Sequence, residues 1–270
     1  MRWPLVVGFC EVDRDAQHSG PDQAVFARVL CGVDGSPAGM EAVRQSARLR
    51  ARDGAILLVA VATPAAAAHA QTALALEAHA AAALREAERE ASMRSESQVL
   101  VGNPVACLLA AARDRAATLV AVGSHGTSRL SGILAGSVAT AMLHRAPCSV
   151  LIARPPRAPA QFPERIAIGI DGSESSRISL RVARDLGTRL GVPLEAVAAS
   201  GATTDIDPGD EVSTLHVDQR EPVEALLDAA DRCDLLVLGA RGLHGVRALG
   251  SVSERVAHRA RSSVLVVRGA

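Results

Sequence analysis

Residues 28–36 read RVLCGVDGS, and residues 165–173 read RIAIGIDGS. Each stretch is a short apolar run that ends in Asp, Gly and Ser, which is typical of a buried strand followed by a helix start. Ser36 before Pro37, and Ser173 in the matching place, are favourable residues for capping a helix. The chain is therefore predicted to contain the same strand-to-helix unit twice.

Three further blocks repeat in the same order along the chain. They are residues 118–126 and 234–242 (TLVAVGSHG and DLLVLGARG), residues 136–145 and 250–259, and residues 149–154 and 263–268 (SVLIAR and SVLVVR). Four matched blocks in one order are unlikely to arise by chance, and such a repeat predicts two copies of one structural unit.

The repeat sets the predicted domain boundaries. The first domain spans residues 28–154, and the second, shorter domain spans residues 164–269. Between them, residues 155–163 are rich in proline and predict a stiff linker. Residues 1–27 match nothing in the second half and are interpreted as a disordered leader or an over-long start.

Length and composition limit the classes of protein to consider. The 270 residues suffice for two domains, and 29 basic residues, all of them Arg, balance 29 acidic ones. A neutral chain of this kind gives no indication of nucleic-acid binding. The five cysteines are scattered, and no apolar run reaches the roughly 20 residues of a membrane helix. We therefore expect a cytoplasmic protein that binds neither nucleic acid nor membrane.

Apolar runs alternate with helical segments in each half, which favours a parallel sheet with helices on both faces. The predicted class is α/β, with two tandem open, mostly parallel five-stranded sheets of Rossmann-like strand order 3-2-1-4-5. In the first half we predict strands at 28–34, 55–62, 97–102, 117–123 and 148–154, and helices at 37–53, 66–92, 104–115 and 136–146.

The second half departs from this plan in one place. Asp171 lies closer in sequence to Gly239 than Asp34 does to Gly123, and the missing residues fall between the second and third strands. The second domain is therefore predicted to be truncated around its second helix, which is absent or vestigial.

The last strand of each half is strongly apolar and leaves a sheet edge that needs cover. We expect these two edges to pair within the chain across a pseudo-two-fold axis. Association of two chains into a homodimer is left open.

Ligands of open parallel sheets bind at the carboxyl ends of the strands. Asp34 ends the first strand, and a loop with four glycines, residues 123–138 (GSHGTSRLSGILAGSV), follows the fourth strand. Gly136 and Ser137 open the next helix, where free N–H groups and the positive end of the helix dipole favour phosphate. The residues at this edge therefore predict a phosphate-binding site.

This arrangement resembles the nucleotide signature of the ATP-binding branch of the universal stress protein family. Gly123, two residues, Gly126, nine residues, then Gly136 and Ser137 match its glycine spacing, and the GNP turn at 102–104 also matches. The resemblance covers nearly all of residues 28–269 in two copies. It implies a tandem, nucleotide-binding stress-response protein.

The resemblance also implies a role for individual residues on the base side. Asp34, in the VDGS start with Gly35 and Ser36, would contact the adenine and the ribose. Ala60 on the second strand would offer backbone contacts to the base.

Two groups of residues further along the chain would contact the rest of the nucleotide. The ribose and first phosphates would lie against Gly123, His125 and Gly126, and the outer phosphates against Gly136, Ser137 and Val138. Magnesium or manganese often accompanies such a triphosphate in this family, although no carboxylate cluster marks a metal site here.

Several of these residues have a structural alternative. Asp34 could be a turn residue, His125 a solvated loop residue, and Ser137 a helix cap. His144 and His258 recur after the glycine loop and are interpreted as surface or packing residues. Arg129 is interpreted as a solvated loop residue rather than a phosphate ligand.

The second half carries an altered copy of the signature. Only seven residues (LHGVRAL) separate Gly242 from Gly250, so the loop is two residues shorter than in the first half. The corresponding second site would comprise Asp171, Gly239, Arg241, Gly242, Gly250, Ser251 and Val252. Its nucleotide binding is expected to be weak, altered or absent.

Three functions are compatible with the sequence. The first is an ATP-binding or adenine-nucleotide-binding regulatory protein that acts on an unknown protein partner, with at most slow ATP hydrolysis. The second is a structural dimerisation module of the same family that has lost its nucleotide. The third is an adenylyl transferase or ATP pyrophosphatase, whose HxGH or SGGxDS motif is replaced here by VDGS and IDGS.

Overall fold

The structure is a computed structural model that describes residues 25–63, 70–91, 95–126, 135–156, 161–199, 212–240 and 249–269. The first half contains strands β1 (Arg28–Val33), β2 (Ala55–Ala62), β3 (Glu96–Val101), β4 (Leu119–Gly123) and β5 (Ser149–Ala153). Its helices are α1 (Pro37–Leu49), α2 (Ala70–Ala91), α3 (Pro104–Asp114) and α4 (Ser137–Arg145). Each corresponds to a predicted element.

The second half repeats this succession with one helix fewer among the described residues. Its strands are β6 (Ile166–Ile170), β7 (Leu194–Ala198), β8 (Val212–Val217), β9 (Leu235–Gly239) and β10 (Ser263–Val267). Its helices are α5 (Glu174–Leu190), α6 (Pro222–Ala230) and α7 (Ser251–Arg259).

All ten strands form one sheet with the order β3-β2-β1-β4-β5-β10-β9-β6-β7-β8. Within each half the order is 3-2-1-4-5 and the pairing is parallel, so the predicted α/β class is confirmed. The two halves meet where β5 and β10 pair antiparallel, with Leu151 opposite Leu265. The predicted pairing of the two final strands within one chain is therefore confirmed.

Serine caps begin the first helix of each half, as predicted. The Ser36 Oγ accepts a hydrogen bond from the Gly39 N–H at 3.0 Å, and the Ser173 Oγ accepts one from the Ser176 N–H at 3.2 Å. The glycine before each cap has a positive φ, +74° at Gly35. Because side chains disfavour this conformation, the turn after the first strand requires glycine.

Helices cover both faces of the sheet with small aliphatic side chains. One core lies under α1, α2 and α5 and is centred on residues such as Leu58 and Ile168. The other lies under α3, α4, α6 and α7 and includes Val120 and Val264. This packing explains how a chain with three Phe, one Trp and no Tyr buries a large sheet.

The helix between the second and third strands differs between the halves. In the first half, the 22-residue α2 packs against β2 and β3. In the second half, fewer residues than that separate Ala198 from Val212, and residues 200–211 lie outside the described residues. The predicted loss of the second helix falls on these residues and stays a prediction.

The proposed domain boundaries remain predictions, although the described residues next to them make contacts. Phe26, placed in the leader by sequence, is 4% exposed, and its carbonyl accepts a hydrogen bond from the Ala51 N–H. Phe162, placed in the linker, is also buried. Residues 1–24 and 157–160 lie outside the described residues.

Two arginines hold the junction between the halves in a symmetric arrangement. The Arg154 guanidinium, 5% exposed, donates to the carbonyl oxygens of Ala257 at 2.5 Å and Ser262 at 3.2 Å, beside the C-terminus of α7. Arg268 donates in the same way to the carbonyl of Leu143 near the end of α4. Each cation thus meets the negative end of a helix from the other half.

Burial lowers the pKa of Arg154 to about 10, because desolvation disfavours its charged form. We expect Arg154→Met to lower the free energy of unfolding by about 2–4 kcal/mol, because the carbonyls of Ala257 and Ser262 lose their charged donor. Arg52→Met, at an exposed position, is the control and should change it by less than about 0.5 kcal/mol. Urea unfolding followed by circular dichroism measures the stability of both variants. If Arg154→Met unfolded at the same urea concentration as wild type, the proposed role of Arg154 at the junction would be contradicted.

Candidate functional site

The carboxyl ends of β1, β2 and β4 open into a cavity of about 830 Å³. The lining includes these predicted first-half residues: Asp34, Ala60, Gly123, His125, Gly126, Gly136, Ser137 and Val138. Gly35 and Ser36 shape the turn beside it. Residues far apart in sequence therefore meet around one space.

The two oxygens of the Asp34 carboxylate have different surroundings. Oδ1 accepts hydrogen bonds from the Ser36 N–H at 3.0 Å and the Ser36 Oγ at 2.6 Å. Oδ2 points toward the glycine loop, since a methyl group placed on Gly126 would lie 3.0 Å from it. Asp34 is therefore both a turn residue and a cavity residue. A role in the turn explains the hydrogen bonds of Oδ1 but not the position of Oδ2 beside the glycine loop.

Two glycines allow the close approach of the first helix to this edge. A methyl group on Gly123 would lie 2.6 Å from the carbonyl carbon of Ala38, and one on Gly39 would lie 2.4 Å from the Asp34 Oδ1. The backbone contact at Gly123 leaves no room for a side chain, whereas a side chain at Gly39 would require the Asp34 carboxylate to move. Gly39 was missed by the sequence analysis, because the second half has Ser176 in its place and the repeat therefore does not mark it.

His125 contacts the turn through its backbone and the loop through its ring. Its carbonyl oxygen lies 3.3 Å from the Ser36 hydroxyl, which donates to it. Its Nδ1 lies 3.0 Å from the Oγ of the buried Ser124. The backbone of His125 thus links the glycine loop to the turn after β1, while its side chain borders the cavity.

The N-terminus of α4 faces the cavity without a side-chain cap. Gly136 is the N-cap, with no side-chain hydrogen bond, and its own N–H donates to the Ser124 carbonyl at 2.7 Å. Ser137 is the first helical residue, so the alternative that Ser137 caps the helix is wrong. The first N–H groups of a helix have no partner within it, and they carry the positive end of its dipole.

Helix α2 supplies a wall of the cavity that the sequence analysis missed. Its contributing residues are Leu76, His79, Ala80 and Ala83. They recur at helical spacing on one face, a pattern readable in the sequence. Sequence alone does not tell whether such a face meets a cavity or a closed core.

The second half has a much smaller cavity at the corresponding edge, about 210 Å³. The lining includes these predicted residues: Asp171, Gly239, Gly250, Ser251 and Val252. Arg241 and Gly242 lie outside the described residues.

Serine hydroxyls occupy part of the second cavity. The Ser175 Oγ donates to the Ala240 carbonyl and the Ser253 Oγ to the Gly239 carbonyl, both at 2.7 Å. In the first half these positions hold Ala38 and Ala139, which have no hydroxyl. The polar edge of the second cavity is therefore partly saturated by its own chain.

The thiols and the surface histidine have surroundings that differ from those of the cavity residues. Burial raises the pKa of the thiols of Cys31, Cys148 and Cys233 to about 12, which keeps them protonated at neutral pH. His144 contacts Glu254 across the two halves, as expected of a surface residue. No three His, Cys, Asp or Glu side chains group into a metal site within the described ranges.

A family model described as "Universal stress protein family" matches residues 26–154 and 195–268 of the chain. The chain belongs to the universal stress protein family. A universal stress protein of Mycobacterium tuberculosis strain H37Rv is 27% identical over 290 aligned residues, which cover 89% of this chain and 96% of that relative. One from Mycolicibacterium smegmatis is 30% identical over 185 residues, covering 57% of this chain and 63% of its own length.

Solved structures of the family share the architecture. A universal stress protein from Archaeoglobus fulgidus superposes with a TM-score of 0.69 at 21% identity and covers 89% of this chain and 96% of its own. That likeness establishes the universal stress protein fold across both halves. A universal stress protein solved in complex with cAMP matches 48% of this chain and 99% of its own, at 27% identity and a TM-score of 0.41.

The two glycines of the loop should respond differently to a methyl group. Gly123→Ala is expected to lower the free energy of unfolding by about 2–3 kcal/mol, because its methyl group would overlap the backbone of Ala38. Gly136→Ala should cost less than about 1 kcal/mol, since the nearest atom to its methyl group would be the Ser124 carbonyl oxygen at 3.5 Å. Thermal and urea unfolding test both variants. If Gly123→Ala were as stable as wild type, that result would argue against the close contact between β4 and α1.

Proposed function

We propose that the first half of this universal stress protein binds ATP or a related adenine nucleotide and that occupancy regulates its contacts with a partner protein during stress. The observation that carries the proposal is convergence on one cavity. The free side of the Asp34 carboxylate, the bare glycines of the β4–α4 loop and the uncapped start of α4 all border the same space.

In the proposed complex the phosphates lie at the start of α4. The N–H groups of Ser137, Val138 and Ala139 are the first of the helix and have no intrahelical partner. The backbone would carry these phosphate contacts, as at other helix N-termini. Arg129, in the same loop, lies outside the described residues. The Ser137 hydroxyl can add one hydrogen bond.

The nucleoside would lie over the ends of β1 and β2. Asp34 Oδ2 would accept a hydrogen bond from a ribose hydroxyl, and backbone groups at Ala60 would border the base; both residues line the cavity. Magnesium or manganese, if bound with a triphosphate, would be held mainly by phosphate oxygens. In this proposal any hydrolysis is slow, and the protein acts as a binding module.

We further propose that each chain binds one nucleotide. The second cavity is below the roughly 300–1,000 Å³ range of typical ligand pockets, whereas the first is within it. Its serines already bond the carbonyls of Gly239 and Ala240. In this proposal the second half serves as the structural partner in an intrachain pseudo-dimer, and a homodimer would join two such units.

The purely structural alternative keeps the same pseudo-dimer but needs no ligand. This alternative explains the small second cavity, whose edge is occupied by serine hydroxyls. It gives no role to the larger cavity of the first half. The described cysteines, Cys31, Cys107, Cys148 and Cys233, form no disulfide, which accords with the proposed cytoplasmic location.

Calorimetric titration of the full chain with ATP tests the proposal, and the expected stoichiometry is one. Asp34→Ala should weaken ATP binding by roughly 10- to 100-fold, because a carboxylate hydrogen bond to the ribose is lost. Asp171→Ala is the matched control and should leave the affinity unchanged. Absence of heat with wild-type protein, together with absence of thermal protection by ATP, would favour the structural alternative.

A second substitution pair tests the phosphate contacts separately. Gly136→Val should weaken ATP binding at least about tenfold, because a branched side chain at the N-cap of α4 obstructs the approach of phosphate to the helix N–H groups. Gly250→Val makes the same change at the start of α7 and should have no effect on affinity. The melting temperature without ligand controls for folding. Equal ATP affinity in wild type and Gly136→Val would refute the assignment of the phosphates.

A further inference from the structure

Strand β8 ends the ten-stranded sheet on the side of the second half, so within the described sheet it pairs only with β7. Its residues from Ser213 to Val217 are all exposed, and the exposed fractions of Leu215 and Val217 are 42% and 55%. Together with Val101, these two are the large apolar side chains exposed in the part of the chain that the structure describes. Apolar side chains on an open sheet edge favour the addition of another strand.

The backbone of β8 presents hydrogen-bonding groups to this edge at the same two residues. The Asp218 N–H donates to the Ala198 carbonyl of β7 at 2.8 Å, so Asp218 and His216 direct their backbone groups toward β7. Because this direction alternates along a strand, Leu215 and Val217 direct their N–H and C=O groups away from the sheet. The edge therefore offers two donors and two acceptors beside two exposed apolar side chains.

Leu215 and Val217 also share one face of the sheet. They lie beside Ala196 and Ala198 of β7, which belong to the core under α1, α2 and α5. In the first half, the counterpart of Val217 is Val99 of β3, which is half-buried and packs against that core. The second half thus leaves exposed a position that the first half partly covers.

The sequence of this edge matches itself in one antiparallel register. The register with β7 shifts at Ser213, so the regular part of the strand begins at Thr214. With a two-fold axis through His216, Leu215 of each copy lies opposite Val217 of the other copy, and both pairs exchange backbone hydrogen bonds. The apolar side chains then cover one another on one face. An axis through Leu215 would instead place Val217 opposite Ser213.

The charges around this axis are compatible with two copies. The His216 Nε2 lies 3.3 Å from the Glu195 Oε1, and that oxygen also accepts a hydrogen bond from Arg232 at 3.0 Å. Two facing His216 side chains would each keep a carboxylate of their own. Residues 214–217 (TLHV) contain no carboxylate and no guanidinium that would meet its own copy.

The opposite edge of the sheet is less suited to such pairing, because charged side chains stand beside it. On β3, Glu96 pairs with Arg115 at 2.7 Å, and the Ser97 hydroxyl donates to Glu88 of α2. Charged side chains are a common means of keeping an edge strand from pairing. Charge therefore favours β8 over β3 as the edge that receives another strand.

We propose that β8 pairs antiparallel with β8 of a second copy of this chain, about a two-fold axis through His216, so that the two sheets become continuous. The inference rests on the proposed function only in giving the suggested homodimer a surface, and the pairing itself requires no nucleotide. The sheet already uses antiparallel apolar pairing where Leu151 lies opposite Leu265. Because the edge is short, the dimer should be weak, with a dissociation constant of about 10–100 µM.

Sedimentation velocity of the full chain without nucleotide, at about 1–500 µM protein, should show a monomer–dimer equilibrium. Leu215→Glu alone and Val217→Arg alone should each weaken the dimer at least about tenfold, because a charge would face an apolar side chain across the axis. An equimolar mixture of the two variants should restore the dimer, since the introduced glutamate and arginine face each other in this register.

Val101→Glu places a charge on the exposed valine of β3 and is the matched control, expected to keep the dissociation constant of the dimer within about twofold of wild type. Circular dichroism checks the folding of every variant. If one of the single variants is unfolded, Leu215→Arg and Val217→Glu form the reversed pair that replaces the first. Calorimetric titration with ATP, carried out separately, should give the same affinity in all of them.

The remaining sedimentation results would overturn the proposal. A wild-type chain that stays monomeric, or a dimer that neither substitution weakens, would mean that β8 is not the interface. Loss of the dimer in Val101→Glu would place the interface on β3. If the mixture of variants fails to restore the dimer, the register about His216 is wrong. A wild-type chain that dimerises in this way but does not bind ATP would refute the nucleotide function and leave the β8 interface in place.

Discussion

The site depends on a close backbone contact between the end of the fourth strand and the first turn of the first helix. Because Gly123 has no side chain, the backbone of Ala38 packs against it at a distance that no Cβ would tolerate. The same contact recurs in the second half between Gly239 and Ser175. It brings the turn after the first strand and the loop after the fourth strand together, although they are far apart in sequence. Asp34 and the start of α4 border one cavity for this reason.

The junction between the halves shows a fold that is symmetric in its framework. The guanidinium groups of Arg154 and Arg268 each donate to a carbonyl near the end of a helix in the opposite half. The backbone N–H of Arg154 donates to the Ser263 hydroxyl, and the backbone N–H of Arg268 donates to the Ser149 hydroxyl. Antiparallel pairing of β5 with β10 leaves no exposed edge at the centre of the sheet. The framework is thus duplicated faithfully.

The two ligand-binding edges, in contrast, have diverged. One difference is the wall that α2 provides to the first cavity, since the described part of the second half contains no counterpart of this helix. The other difference lies in two side chains. The hydroxyls of Ser175 and Ser253 donate hydrogen bonds to carbonyls at the second edge, where the first half has alanines. The duplicated sheet therefore carries two cavities of different volume, about 830 Å³ in the first half and about 210 Å³ in the second.

The amino-acid sequence by itself determined the class of fold, the succession of strands and helices along the chain, and the position of the glycine loop. These properties follow from local patterns: apolar runs specify buried strands, Ser36 and Ser173 specify helix starts, and the repeat exposes equivalent positions. The tertiary structure alone decided the roles of Gly39, His79 and the alanines of α2. Their roles depend on which surface each side chain meets across the fold, and helical spacing reports only that they share a face.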